Sequence, residues 1–340
     1  MSEEMSREEW LGQVVEPVIE PERRICDPHH HLWDHPQNRY LLEDLVADTG
    51  GGHNVVSTVF VECSSEYRED GPEALRPVGE TEFVERVARQ SASGEFGPMC
   101  ACAGIVGLAD LTLGARAGDV LDAHMAASSR FRGIRHAAGW DESDEVRNSH
   151  TDPPRHLYLR EDFREGFAEL GKRGLSFDAW LYHTQIGELS DLARTFADTT
   201  IIFDHFGGPL GIGPYKGKRE EIFERWCDDV AELAACSNVY AKLGGLVMPL
   251  SGFGFHRRLV PANSDEIVAA TGRYYRHAID HFGVERCMFE SNFPVDKQSC
   301  SYVVLWNAFK KMVADASVTE KNWLFHDAAV SAYRISEDGG

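Results

Sequence analysis

The chain has 340 residues, 43% of them apolar and 26% charged, which suits one large globular domain or two ordinary ones and excludes a disordered or fibrous protein. Its formal net charge of −21 argues against nucleic acid or an anionic membrane surface as partner, since both would repel it along most approaches. An anionic small molecule stays compatible if its site is locally basic.

Residues 1–24 open with MSEEMSREEW and read as an acidic N-terminal extension with no secretory signal. No stretch reaches the ~18 apolar residues of a membrane span. The eight cysteines are scattered without a C-x-x-C pair, mostly in apolar runs, as expected of buried free thiols in the cytoplasm. From residue 25 onward, β-branched apolar runs recur at 25–31, 55–63, 99–106, 131–136, 175–181, 200–205, 239–246 and 286–292. Between them apolar positions recur every three or four residues over 79–90, 116–126, 161–171, 186–197, 220–235 and 265–282. Strand and helix alternating in this way predict an α/β fold, a (β/α)8 TIM barrel over 25–335, with 322–335 as a closing helix. Turn-rich stretches at 137–159, 207–218 and 248–263 follow the C-terminal ends of predicted strands, where a barrel carries its active site. They are expected to be substrate-binding loops or lids. Lys216 and Lys218 in the second of them read as solvated, because no phosphate-loop pattern follows.

The first run ends in CDPHHHLWD. Strand side chains alternate, so Asp27, His29 and His31 are expected on one face, with Pro28 and His30 on the other. Other predicted strand ends deliver Arg135-His136, His183, His205 and Glu290-Ser291-Asn292. Histidines arriving from separate strands at one rim point to proton handling or metal binding. Arg135 offers a planar fork for a carboxylate or lactone oxygen, unless it is tied in a salt bridge with Glu290 or Asp178. Trp33, Trp180 and Tyr182 suit a wall around a ring, or ordinary core, and His136 and Lys242 complete the candidate substrate-binding set.

The stretches D-P-H-H-H-L-W-D at 27–34, F-R-G-I-R-H at 131–136, H-T-Q-I-G-E-L-S-D-L-A at 183–193, D-H-F-G-G-P at 204–209, N-V-Y-A-K-L-G-G-L at 238–246 and M-F-E-S-N-F-P-V-D at 288–296 occur in order. With them the chain resembles the amidohydrolase superfamily, in the amidohydrolase-related branch that includes sugar-lactone and pyrone-dicarboxylate lactonases. The resemblance implies a hydrolase in which water attacks an ester or amide carbonyl, here a lactone of a small carboxylated ring. It implies His29 and His31 as the paired histidines and His183 and His205 as the distal ones. Metal-using relatives bind divalent ions there; metal-free ones hydrogen-bond the carbonyl. One ion on His29, His31 and His183, zinc as first expectation, and no ion at all both fit the sequence.

Relatives carry an aspartate in S-D-W-P as general base, whereas Asn292 stands here, and an amide cannot accept a proton at neutral pH. Glu290, two residues earlier, is expected to take that role, with Glu62 and Asp204 as further candidates; a structural network with Arg135 or Lys242 is the alternative for Glu290. The rival readings are a metal-dependent decarboxylase or hydratase of the same superfamily, and a binding protein on the barrel that has lost catalysis. The expected partner is a small molecule, and a homo-oligomer is compatible.

Overall fold

The computed structural model describes residues 5–35 and 38–336. In chain order β1 (Arg24–His30) is followed by a small antiparallel ribbon of β2 (Trp33–His35) and β3 (Asn38–Tyr40). Then come β4 (Asn54–Val61), β5 (Cys100–Gly107), β6 (Phe131–Arg135), β7 (Ser176–Ala179), β8 (Ile201–Phe203), β9 (Val239–Leu243) and β10 (Cys287–Phe289). Apart from the ribbon, the strands pair in sequence order into one parallel eight-stranded sheet. Its ends meet where Asn292 N–H donates to His29 O at 3.0 Å and His31 N–H donates to Phe293 O at 2.8 Å. The sheet is therefore a nearly closed barrel with helices between its strands, a (β/α)8 TIM barrel.

The helices are α1 (Arg7–Leu11), α2 (Leu42–Thr49), α3 (Val78–Ala92), α4 (Ala117–Ala127), α5 (Glu161–Arg173), α6 (Ile186–Thr195), α7 (Arg219–Ala234), α8 (Ser264–Phe282), α9 (Tyr302–Met312), α10 (Val318–Asn322) and α11 (Ala328–Tyr333). Local chemistry explains their ends. α5 has Glu161 and Asp162 in its first turn, Lys172 and Arg173 in its last, and a left-handed Gly174 after it. Asn263 caps α8 by accepting from Glu266 N–H. In α9 Val304 to Lys310 are all buried, because the polar side, Asn307 and Lys310, is covered by the segment before β1. The predicted closing helix is interrupted by a π-turn, Trp323–Asp327, between α10 and α11.

Two layers of core hold the barrel. Outward side chains such as Ile25, Phe60, Ile134, Phe177 and Phe203 pack under the helices. Inward ones, Cys26, Val59, Val61, Val106, Ile202 and Met288, meet Ala328, Ala329, Ala332 and Tyr333, so α11 plugs the barrel floor. The acidic segment before β1 is strapped to the helical shell. Glu16 accepts from Ser264 N–H at 2.7 Å and Asn307 Nδ2 at 3.0 Å, and Lys310 Nζ donates to Ile19 O at 2.8 Å. Among the described residues no helix is long and apolar enough to cross a membrane.

Gly133 lets β6 and β7 approach: a Cβ added there would lie 2.3 Å from both the carbonyl oxygen and Oγ of Ser176. Gly133→Ala is therefore expected to destabilise the protein by about 1–3 kcal/mol through overpacking. Urea unfolding checks this, and an unchanged midpoint would show that the strands separate without cost.

Candidate active site

A β-bulge at the end of β1 sets up the site. Asp27 pairs with Thr58 but His30 pairs with Phe60, so β1 carries one extra residue against β4. Strict alternation therefore fails, and Asp27 does not share the face of His29 and His31. Its carboxylate instead accepts from Tyr302 OH at 2.9 Å and Ser291 N–H at 2.9 Å in the helical layer, while His30 bonds Thr58 Oγ1 at 2.9 Å.

His29 points inward to Glu290. Glu290 Oε2 lies 2.8 Å from His29 Nδ1, and Oε1 lies 2.6 Å from His205 Nδ1, so one wholly buried carboxylate spans two imidazoles. Burial holds all three histidines neutral, His29 and His31 well below 6.5 and His205 at about 3. Val61 O, which can only accept, fixes the Nδ1–H tautomer of His31 at 2.8 Å and leaves its Nε2 lone pair 3.3 Å from His29 Nε2. Lys242 Nζ lies 3.2 Å from His29 Nδ1. When Lys242 donates there, His29 Nε2–H faces His31; when Nδ1–H turns to Glu290, the Nε2 lone pair is free. His205 sits in a left-handed conformation, φ 51, and Gly244 and Gly245 make room for the pair. A Cβ on Gly244 would lie 2.3 Å from Glu290 Cγ, and one on Gly245 would lie 2.6 Å from His205 Nδ1.

Beneath them, Lys242 Nζ lies 2.6 Å from Asp178 Oδ2 and 3.2 Å from Asp204 Oδ1, and Tyr333 OH from the floor helix donates to Asp178 at 2.6 Å. Three buried carboxylates, Asp178, Asp204 and Glu290, thus face one buried lysine. Both oxygens of Asp204 are buried without a hydrogen-bond partner among the described residues. The ligand atoms of His29, Asp204 and His205 lie within 4.8 Å of one another, a possible metal site. Three acids around one lysine, a carboxylate with no hydrogen-bond partner among the described residues and two neutral imidazoles fit a divalent cation.

The remaining candidates fall in different places. Arg135 pairs with Glu62 rather than Glu290 or Asp178: its Nε lies 2.7 Å from Glu62 Oε1 and Nη2 donates to Glu62 O at 2.6 Å. Only Nη1 remains, 3.4 Å from His29 Nε2. His183 lies in a turn beyond β7, where Nδ1 accepts from Leu210 N–H at 3.4 Å and the ring meets Tyr215 edge-on. It is not among the residues gathered for a metal, because residues 180–182 carry it up into the loop layer. His136 turns to the helical side, accepting from Leu111 N–H at 3.3 Å. Asn292 Nδ2 donates to Asp296 at 3.1 Å, away from the histidines. Lys242 is wholly buried, and Lys216 and Lys218 are exposed.

A cavity of about 450 Å³ opens above this cluster. His31, Arg135, Trp33, Trp180 and Tyr182 line it together with residues from all three turn-rich stretches, Val146 to His150, Ile212 and Leu250. Trp180 stands edge-on over His205, its ring 5.0 Å away, and Trp33 stacks on His31 at 5.7 Å. Sequence reasoning did not single out Gly244, Gly245, Tyr333, Arg147 or His150. The first two had a signal, the G-G inside the predicted 239–246 strand; the loop and floor residues had none.

A profile of the amidohydrolase family matches residues 26–335. The uncharacterized protein y4mH of Sinorhizobium fredii is 35% identical over 340 residues, covering 92% of this chain and 98% of that protein. An L-fucono-1,5-lactonase of Burkholderia multivorans is 25% identical over 322 residues, covering 92% and 96%. Among solved structures, an amidohydrolase of Burkholderia multivorans with bound zinc superposes with a TM-score of 0.69 at 21% identity, over 92% of this chain and 99% of that one.

Burial drives the carboxyl of Glu290 from 4.5 up to about 8, against the opposing pull of Lys242. A carboxyl that is harder to ionise folded than unfolded stabilises the fold fully below its unfolded value, and that stability is lost as pH rises through the folded one. Chelator-treated protein should therefore lose stability between about pH 4.5 and pH 8. Glu290→Gln should reduce that slope in denaturant titrations, leaving the part due to the buried Glu80, Asp27 and Asp204, which are raised as well; an unaltered slope would mean that Glu290 does not contribute.

Proposed function

The chain belongs to the amidohydrolase family and is an enzyme of the hydrolase class, and from that premise we propose that it opens a lactone or similar cyclic ester of a small ring. The observation that carries this reading is the buried carboxylate of Glu290, hydrogen-bonded to His205 and with its second oxygen 2.8 Å from His29, below a cavity of substrate size. The likeness to an L-fucono-1,5-lactonase supports it.

In this reading the ring carbonyl oxygen lies against Arg135 Nη1, the one guanidinium nitrogen that Glu62 leaves, in a site largely closed to water. Glu290 is wholly buried and His205 is 3% exposed, so Glu290 acts through the imidazole rather than on water directly. His205 Nδ1–H is held by Glu290, and its far nitrogen takes the proton as water adds to the carbonyl carbon. Glu290 stabilises the imidazolium that forms, and the same imidazole returns the proton to the leaving ring oxygen. Trp33, Trp180 and Tyr182 orient the ring. A divalent cation, zinc first, would be held by His29, Asp204 and His205 and would supply Lewis-acid polarisation of an oxygen; with its free lone pair so engaged His205 would not serve as the base, so the cation-bound form is an alternative to this proton route. The same cluster favours a second reading, metal-dependent decarboxylation, which would release carbon dioxide and not an open-chain acid.

Purified protein assayed on a panel of aldonolactones and pyrones is expected to release acid, and Glu290→Gln and His205→Asn should each lower kcat by roughly 10²–10⁴ with KM little changed. A panel without turnover, or full activity in both variants, sinks the reading. For the metal, zinc added to chelator-stripped protein should raise Tm, and Asp204→Asn should lose that shift while His183→Gln keeps it. A shift unaffected by Asp204→Asn would place the ion elsewhere.

A further inference from the structure

The cavity differs sharply in charge from the molecule around it. On a chain of net charge −21, the described residues lining it include Arg135, Arg147, His31 and His150 and no aspartate or glutamate. Glu62, the nearby carboxylate, is wholly buried and already spent on Arg135 and on His150, whose Nε2 lies 3.0 Å away. With Arg135 balanced by Glu62 and His31 neutral, the lining keeps the positive charge of Arg147 and no negative one, which favours an anion more than the acidic chain as a whole does.

Arg135 is a poor anchor for that anion, since two of its three nitrogens are held by Glu62. Arg147 is different. It lines the same cavity from the 137–159 stretch as an exposed residue, and its guanidinium has no hydrogen bond or ion pair among the described residues. Its backbone is fixed where Tyr182 OH donates to Arg147 O, and Val146 beside it packs with Tyr182 and Leu210. Two further donors in the lining lack partners: Trp33 Nε1–H and Ser149 Oγ are buried and unbonded among the described residues.

We propose that Arg147 is the specificity residue that binds a carboxylate carried by the substrate ring, with Trp33 Nε1–H and Ser149 Oγ free for further ring oxygens. The inference rests on the reading of this cavity as the substrate site of the hydrolase. A planar guanidinium fork matches a carboxylate in two parallel hydrogen bonds. The lining has no lysine and is walled by two indoles and a phenol, which suits a flat carboxylated ring better than a phosphate.

The test is equilibrium binding by calorimetry of isophthalate, glutarate, inorganic phosphate and neutral isophthalamide to wild type, Arg147→Gln and Arg147→Lys. Circular dichroism confirms the fold of each variant. Isophthalate or glutarate should bind in a salt-sensitive manner and isophthalamide should not, with affinity falling about tenfold or more in Arg147→Gln and partly retained in Arg147→Lys. In turnover, Arg147→Gln should raise KM for a carboxylated lactone and leave a neutral lactone unchanged. Equal affinity in wild type and Arg147→Gln, no binding of either dicarboxylate, or tighter binding of phosphate than of both would overturn the assignment. Carboxylate binding through Arg147 without hydrolysis of any lactone would instead sustain it and remove the lactonase reading.

Discussion

One carboxylate shared by two imidazoles governs the reactive end of this barrel. Glu290 follows β10, His29 comes from β1 and His205 from the turn after β8, so the contact spans the seam and also reaches past the intervening β9. The continuation of β9 lies directly in the way. Gly244 and Gly245 are there because any side chain would occupy the space through which the carboxylate meets His205. The left-handed backbone at His205 follows from the same demand, since an extended residue could not turn its ring toward β10.

Burying that carboxylate is unfavourable unless charge and hydrogen bonds compensate it. Lys242 supplies the charge, but a buried lysine needs its own support. Asp178 gives it, and Asp178 is in turn held by Tyr333 from the floor helix. The chain therefore reaches the site from both ends of the sequence, and the helix that plugs the barrel also tunes it. The carboxylates still outnumber the lysine by two. The interior must take up protons or a cation to balance them, which links the tautomer of His29 to whichever is bound.

Much of this architecture was legible in the sequence, because alternating strand and helix periods survive wherever one face of an element is polar. α9 was not singled out, and its polar side, Asn307 and Lys310, is spent on the segment before β1 instead of facing solvent. The site was legible as a set of strand ends, and Glu290 was singled out by the amide at Asn292. Two features were out of reach. A bulge in β1 is a matter of pairing register, which a single strand does not encode, and it removed Asp27 from the expected face. The position of His183 depends on where β7 stops, and an apolar run such as 175–181 gives no sign that Trp180 and Leu181 have already left the ladder.

Chemistry and recognition are built on different parts of the molecule. The groups proposed to react stand on strand ends and the turns directly after them, where neighbouring strands fix their positions within the hydrogen-bonded sheet. The groups proposed for recognition stand largely on loops, yet these loops are not loose. Gly211 N–H donates to Leu250 O at 2.9 Å, and a Cβ on Gly211 would lie 2.3 Å from Ser251 O, so the second and third turn-rich stretches touch backbone to backbone. Val146 from the first packs with Leu210 from the second and Tyr182 between them. Arg147 follows Val146 immediately, so the packing that closes the roof also fixes the backbone from which its exposed side chain extends beside the cavity. A ring bound there would have its charged edge fixed by the loops and its carbonyl edge fixed by the strands, and only a ring whose two edges are correctly spaced satisfies both.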